Sequence, residues 1–209
     1  MSFFDFFKKN AKMKNNSRDT CKSKSNMREH LMCEIKKSVE SWDKSDIYAV
    51  SLFVYDNDDN PYEPTVTLGY NTEENFKSQI GRASDETEAR WNYAFWLQNE
   101  EYSFGFEDTH SIVKKWIISK GFPYYTYEEV FSDEHSHETF EEITEAFVGE
   151  LVEIVKELHE SGFVKAQFGK DIPILIHELE YYDKIAEQNE AANGGCLPKE
   201  FVRFCMGEI

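Results

Sequence analysis

The chain has 209 residues, a length that suits one domain. It carries 23 Lys and Arg against 40 Asp and Glu, for a net charge of −17, and its 17 Phe, 11 Tyr and 4 Trp supply large side chains for a core. So acidic a body repels phosphate backbones, which argues against nucleic-acid binding by the main domain, and no run of about 18 apolar residues suggests a transmembrane segment.

The charge is uneven. Residues 1–45 hold eleven Lys/Arg and six Asp/Glu, a net +5 that leaves −22 for the rest. Residues 1–25 therefore read as a basic N-terminal arm, helical or flexible, and residues 26–209 as a single acidic domain. In the arm, Phe3, Phe4, Phe6 and Phe7 precede Lys8 and Lys9, as in a segment that docks on a membrane surface or a partner, or as in a first helix tucked onto the acidic body. Its apolar residues come before its charges and no small-residue cleavage site follows, so no export signal is read and a cytoplasmic location is expected. Cys21, Cys33, Cys196 and Cys205 form no CxxC pair, and free thiols in a reducing compartment are expected for all four.

Asn26, with Glu29 three residues on, predicts the start of a helix whose apolar stripe is Met27, Leu31, Ile35, Val39 and Trp42. Residues 46–55 predict a central strand, apolar or small on both faces. A polar turn, Asp56 to Pro61, leads to an alternating strand at 65–70, and the two strands are expected to pair antiparallel. Asn71 with Glu74, and Asp85 with Glu88, predict two short helix starts, and Thr126 with Glu129 a further helical turn. Residues 108–119 predict a helix facing inward through Ile112, Val113, Trp116 and Ile117 and stopped at Gly121-Phe122-Pro123. The strongest helix spans about 139–161, with Phe140, Ile143, Phe147, Leu151, Ile154 and Leu158 on one stripe, a Thr139/Glu142 cap and Gly162 as its stop. A strand at 171–178, a helix at 179–192, a break at Gly194-Gly195 and a last short helix from Pro198 complete the chain. Strands and helices do not alternate regularly, so the expected fold is α+β: a mainly antiparallel sheet packed against several helices.

Four places invite a functional reading. In Asp133–Glu142 an HxH pair, His135 and His137, lies beside Glu138, a donor set that suits a transition ion. No third ligand stands at a diagnostic spacing, and acids before a helix are expected without any metal. The Asp56–Asn60 run opens like a calcium loop, but its sixth and twelfth positions are Pro61 and Thr67 where Gly and Glu are required, so a hairpin turn is the better reading. His177 and Glu178 would face opposite sides of a strand, and His177 reads as a half-buried histidine with a satisfied hydrogen bond. Arg90, Trp91, Tyr93 and Trp96, together with Tyr181 and Tyr182, have the composition of a protein-binding hot spot, although Trp91 reads equally well as core and Arg90 as a surface ion pair. GxGxxG, GxxxxGKS/T and GxSxG are all absent, so no cofactor is expected, and Cys196 after Gly194-Gly195 has no His tied to it by a local pattern.

Three stretches, DIYAVSLFVYDND, ARWNYAFW and FVKAQFGKDIPILIHELEYYDKIAEQNEAAN, resemble a bacterial family catalogued as a domain of unknown function, number 4303, over about residues 26–205. The resemblance implies a small cytoplasmic protein encoded near toxin–immunity systems and supplies no catalytic or metal residues. Charge and resemblance together point to a non-enzymatic protein of the immunity or antitoxin kind, which binds a basic partner such as a toxin domain. The alternative from another class is a metal-binding or hydrolase-like protein using His135 and His137.

Overall fold

A computed structural model describes residue 21 and residues 26–57, 60, 62–125, 129 and 139–208. Asn26 opens the helix α1 (Met27–Ser41), its side chain accepting from the Glu29 backbone N–H. β1 (Ile47–Asp56) and β2 (Pro64–Thr72) pair antiparallel from Ile47↔Thr72 to Asp56↔Pro64, and Asn57 N–H bonds Glu63 O at 3.0 Å beyond their ends. α2 (Glu73–Gln79) and α3 (Glu86–Trp91) follow, then a short strand β3 (Tyr102–Phe104) and α4 (Glu107–Ser119). After these come α5 (Phe140–Glu160), α6 (Phe163–Phe168), β4 (Ile174–His177), α7 (Asp183–Asn193) and α8 (Lys199–Cys205).

The sheet order is β3-β2-β1-β4, antiparallel except for the parallel β1–β4 pair. β1 is central, as its two apolar faces require. Cross-strand partners share a face, so Val50↔Ile174 and Leu52↔Ile176 point one way and Ser51↔Leu175 and Phe53↔His177 the other. On the first face Leu31, Ile35 and Val39 of α1, Ile117 of α4, and Phe147, Leu151 and Ile154 of α5 close a largely aliphatic core. On the second face Tyr48 and Leu175 meet Phe76, Trp91, Ile185 and Phe201 in a smaller, aromatic one. The sheet is the common wall of both cores, which makes the body one α+β domain.

β4 is an edge strand, and its outer edge is covered by a helix. Asn189 and Asn193 lie one turn apart on α7. Asn189 Oδ1 accepts from Ile176 N–H at 2.8 Å and its Nδ2 donates to Ile176 O at 2.7 Å. Asn193 does the same for Ile174, at 2.8 and 3.0 Å. Two side-chain amides thus stand in for a fifth strand and close an edge that would otherwise be open to pairing.

Several expectations are corrected. Cys21 and Cys33 are bonded, with Cα atoms 5.7 Å apart, so only Cys196 and Cys205 are free thiols. Twelve residues of separation gave no signal, because the pair meets only when the chain at Cys21 folds back on α1, where Cys21 O also receives His30 Nδ1. Cys21 itself is buried. Thr72, not Asn71, caps α2, because Asn71 is buried in β2 and bonds Tyr48 and Asn75. The Thr139 hydroxyl pairs with the Tyr62 hydroxyl at 3.0 Å and makes no cap bond to α5. The 171–178 strand is shorter than expected: Val50 N–H bonds Pro173 O at 3.0 Å, but proline has no N–H with which to carry the ladder further. Thr126 lies outside the described residues.

Candidate functional site

α5 and α7 converge beside the start of β4's exit loop and leave a groove of about 840 Å³. Its floor comes from α5, where Phe140, Val148 and Val152 are half-buried against the aliphatic core. Gly149 lies among them on an interior turn of a 21-residue helix, and a Cβ there would meet nothing within 4 Å. A helix-interior glycine costs about 0.5–1 kcal/mol relative to alanine. No close packing explains it here, and its effect is to keep the floor of the groove open.

The rim is acidic: Asp56, Glu141, Glu145, Glu153, Glu178 and Glu187 line it. Lys184 is the one basic side chain among the described lining residues, and Glu145 holds it at 2.7 Å. Burial pushes the Glu178 carboxyl above its ordinary value, with Glu180 adding to the effect and Lys184 opposing it. At the mouth Tyr182 is 37% exposed, and Leu179, in the same loop, is 71% exposed. An apolar floor, an acidic rim and two exposed apolar side chains match the composition of a protein-recognition surface.

Of the six residues expected at a binding hot spot, Tyr182 alone lines this groove. Trp91, Tyr93 and Trp96 are 3, 8 and 6% exposed and belong to the aromatic core, so they offer no contact surface. Trp91 Nε1 donates to Glu200 at 3.2 Å, and Trp96 Nε1 to Arg90 O at 2.8 Å. Arg90 forms a bidentate pair with Glu73, both bonds 3.0 Å, while its guanidinium lies 3.9 Å from the Phe76 ring centre. Tyr181 faces inward, its hydroxyl accepting from Tyr93 N–H at 3.0 Å and its ring stacked on His177. Charge and aromatic density in this segment build the second core, which was the other reading of the same residues.

His177 is fully buried, not half-buried. Its Nδ1 lies 3.0 Å from Glu178 O and its Nε2 2.7 Å from Ser51 Oγ. A carbonyl only accepts, so Nδ1 carries the proton and Nε2 receives the serine's. Burial lowers the pKa to about 4, and the ring is neutral with both nitrogens satisfied.

Cys196 has neighbours that no local pattern announced: ligand-capable atoms of His159, Asp171 and Cys196 lie within 4.8 Å of one another. Burial, reinforced by Asp171, raises the Cys196 thiol, while Lys165 acts the other way. His135, His137 and Glu138 lie outside the described residues. No helix among the described residues is long and apolar enough to cross a membrane. No family model, curated protein or solved structure matches the chain.

Proposed function

We propose that this chain is a non-enzymatic protein-binding domain that holds a basic, partly apolar segment of a partner protein in the groove between α5 and α7. The observation that carries the reading is the groove itself, an open apolar floor ringed by six acids and one already paired lysine. A cationic amphipathic helix laid along it would bury its apolar face on Val148 and Val152 and set Lys or Arg against the rim. The −22 of residues 46–209 would speed the encounter. The resemblance to a family found near toxin systems gives the partner a class, a basic toxin domain, and makes the chain an immunity protein that covers it.

A lysine-rich amphipathic helical peptide, labelled for fluorescence anisotropy, tests the groove. Binding is expected at low salt, weakening steeply as salt rises. The double reversal Glu145→Lys, Glu187→Lys should reduce affinity by an order of magnitude or more, while Glu40→Lys, exposed on α1 and outside the groove lining, should have a much smaller effect. Equal losses from the groove and control variants would sink the reading, as would affinity indifferent to salt. A cytoplasmic location goes with this proposal, and in that compartment the Cys21–Cys33 bond would be open. Protein quenched with alkylating agent straight from its source should then show all four thiols modified, and only Cys196 and Cys205 modified would place it in an oxidising compartment.

A further inference from the structure

The hydrogen bonds around Asn193 assign a tautomer to a second histidine. Asn193 Nδ2 donates to Ile174 O at 3.0 Å and to Asn189 O at 3.1 Å, so the amide orientation is fixed. Asn193 Oδ1 therefore accepts, from Ile174 N–H at 2.8 Å and from His159 Nε2 at 3.1 Å. His159 must carry its proton on Nε2 when neutral, which leaves a lone pair on Nδ1. That Nδ1 is buried and has no hydrogen-bond partner. A buried acceptor left unpaired costs about 1–3 kcal/mol, so an orphan of this kind calls for an explanation.

Its surroundings supply one. Three separate parts of the chain converge on His159, which sits in the last turn of α5. Asp171 comes from the segment entering β4, and Cys196 from the turn at the end of α7. That turn begins at Gly194, whose φ of +53° a residue with a side chain rarely adopts. One nitrogen, one carboxylate oxygen and one sulfur lie within 4.8 Å of one another. In a tetrahedral zinc site with bonds of about 2.0–2.3 Å, ligand atoms stand roughly 3.3–3.6 Å apart, so small side-chain rotations close the triangle. Imidazole, carboxylate and thiolate together suit zinc or cobalt rather than calcium or magnesium. The Asn193 amide oxygen on the far ring nitrogen is the outer partner that a metal-bound histidine requires.

We propose that His159 Nδ1, Asp171 and Cys196 form a site for a zinc-class divalent ion, with three protein ligands and a fourth position open to water or an exchangeable ligand. Binding displaces the Cys196 thiol proton to solvent and leaves the thiolate on the metal. The order Asn193–His159–Cys196 would also serve an activated thiol, with His159 as base. Against that, Nδ1 makes no bond to the sulfur. A cation reconciles all three groups. The site lies apart from the acidic groove and shares none of its lining residues.

Cobalt(II) added to metal-free full-length protein is the direct test. The expected result is one ion per chain, with visible bands of tetrahedral intensity and a near-ultraviolet thiolate-to-cobalt band. Cys196→Ser should abolish the thiolate band. Asp171→Asn, at an exposed position that folding tolerates, should weaken binding by about 10- to 100-fold. Zinc should also slow alkylation of Cys196 by iodoacetamide in the native chain and fail to do so in Asp171→Asn, which reads the site without relying on the His159 variant to fold. Absence of a thiolate band in the native chain would overturn the proposal. So would binding that survives both Cys196→Ser and Asp171→Asn unchanged, since the ion would then sit elsewhere.

Discussion

His177 ends the asparagine-capped edge strand β4 and His159 bonds Asn193, one of the two caps, and their environments differ in one respect that matters. His177 has both ring nitrogens bonded, to Ser51 and to the Glu178 carbonyl, inside a ring of Phe53, Tyr93, Trp96 and Tyr181. His159 has one nitrogen bonded and the other buried without a partner, beside a carboxylate and a thiol. The first is saturated and serves the fold. The second keeps bonding capacity in reserve, which is what a ligand site needs. The difference teaches that residue type and aromatic density are poor guides to function in this molecule, and that hydrogen-bond accounting is a better one.

The sharpest test of this contrast is to remove each ring. His177→Ala empties a fully enclosed position and breaks two hydrogen bonds, and should cost about 3–4 kcal/mol in urea unfolding. His159→Ala removes one bond at a half-exposed position and should cost about 1 kcal/mol or less, while abolishing any response of stability to zinc. Equal costs would erase the distinction. The pH dependence follows from the same ring. The folded pKa of His177, about 4, lies below the value of about 6.5 in an unfolded chain, so the unfolded state binds more protons between those limits. Its contribution is complete above pH 6.5 and is lost as pH falls toward 4, by roughly 3 kcal/mol in all. The urea midpoint of the native chain should therefore fall more steeply across that window than the midpoint of His177→Ala.

The asparagine-capped edge of β4 gives a smaller effect. Asn189→Ala would strip the Ile176 N–H of its partner, while Gln188 Nε2 still donates to Ile176 O at 2.8 Å, and should cost about 2 kcal/mol, read as a lower thermal midpoint. The smallest effect has the opposite sign. Gly149→Ala should stabilise α5 by about 0.5–1 kcal/mol while weakening peptide binding in the groove, because the new methyl enters open space on its floor. A gain in stability with unchanged binding would remove Gly149 from the site.

Much of the fold was legible in the sequence, for local reasons. Asn26 and Asp85 cap the helices their spacing announced, since the capping bond runs only three residues along the chain. The stripe from Ile143 to Leu158 faces the core because helical periodicity places it on one side. Where local chemistry had a competitor it failed: Asn71 and Thr139 were claimed by Tyr48 and Tyr62, whose hydroxyls arrive from distant parts of the chain. The site was far less legible. Tyr182 was named as a binding residue, but the groove it lines is made by two helices that meet across the sheet's edge.

The sequence by itself determined the α+β class, most element boundaries and the acidic body, because periodicity, capping and charge are properties of neighbours. Tertiary structure alone decided that Cys21 bonds Cys33, that β4 runs parallel to β1, that Arg90 and its aromatics turn inward, and that His159 meets Asp171 and Cys196. Each of those outcomes depends on which distant surfaces are brought together as the elements pack around the sheet, and no short stretch of sequence carries that information.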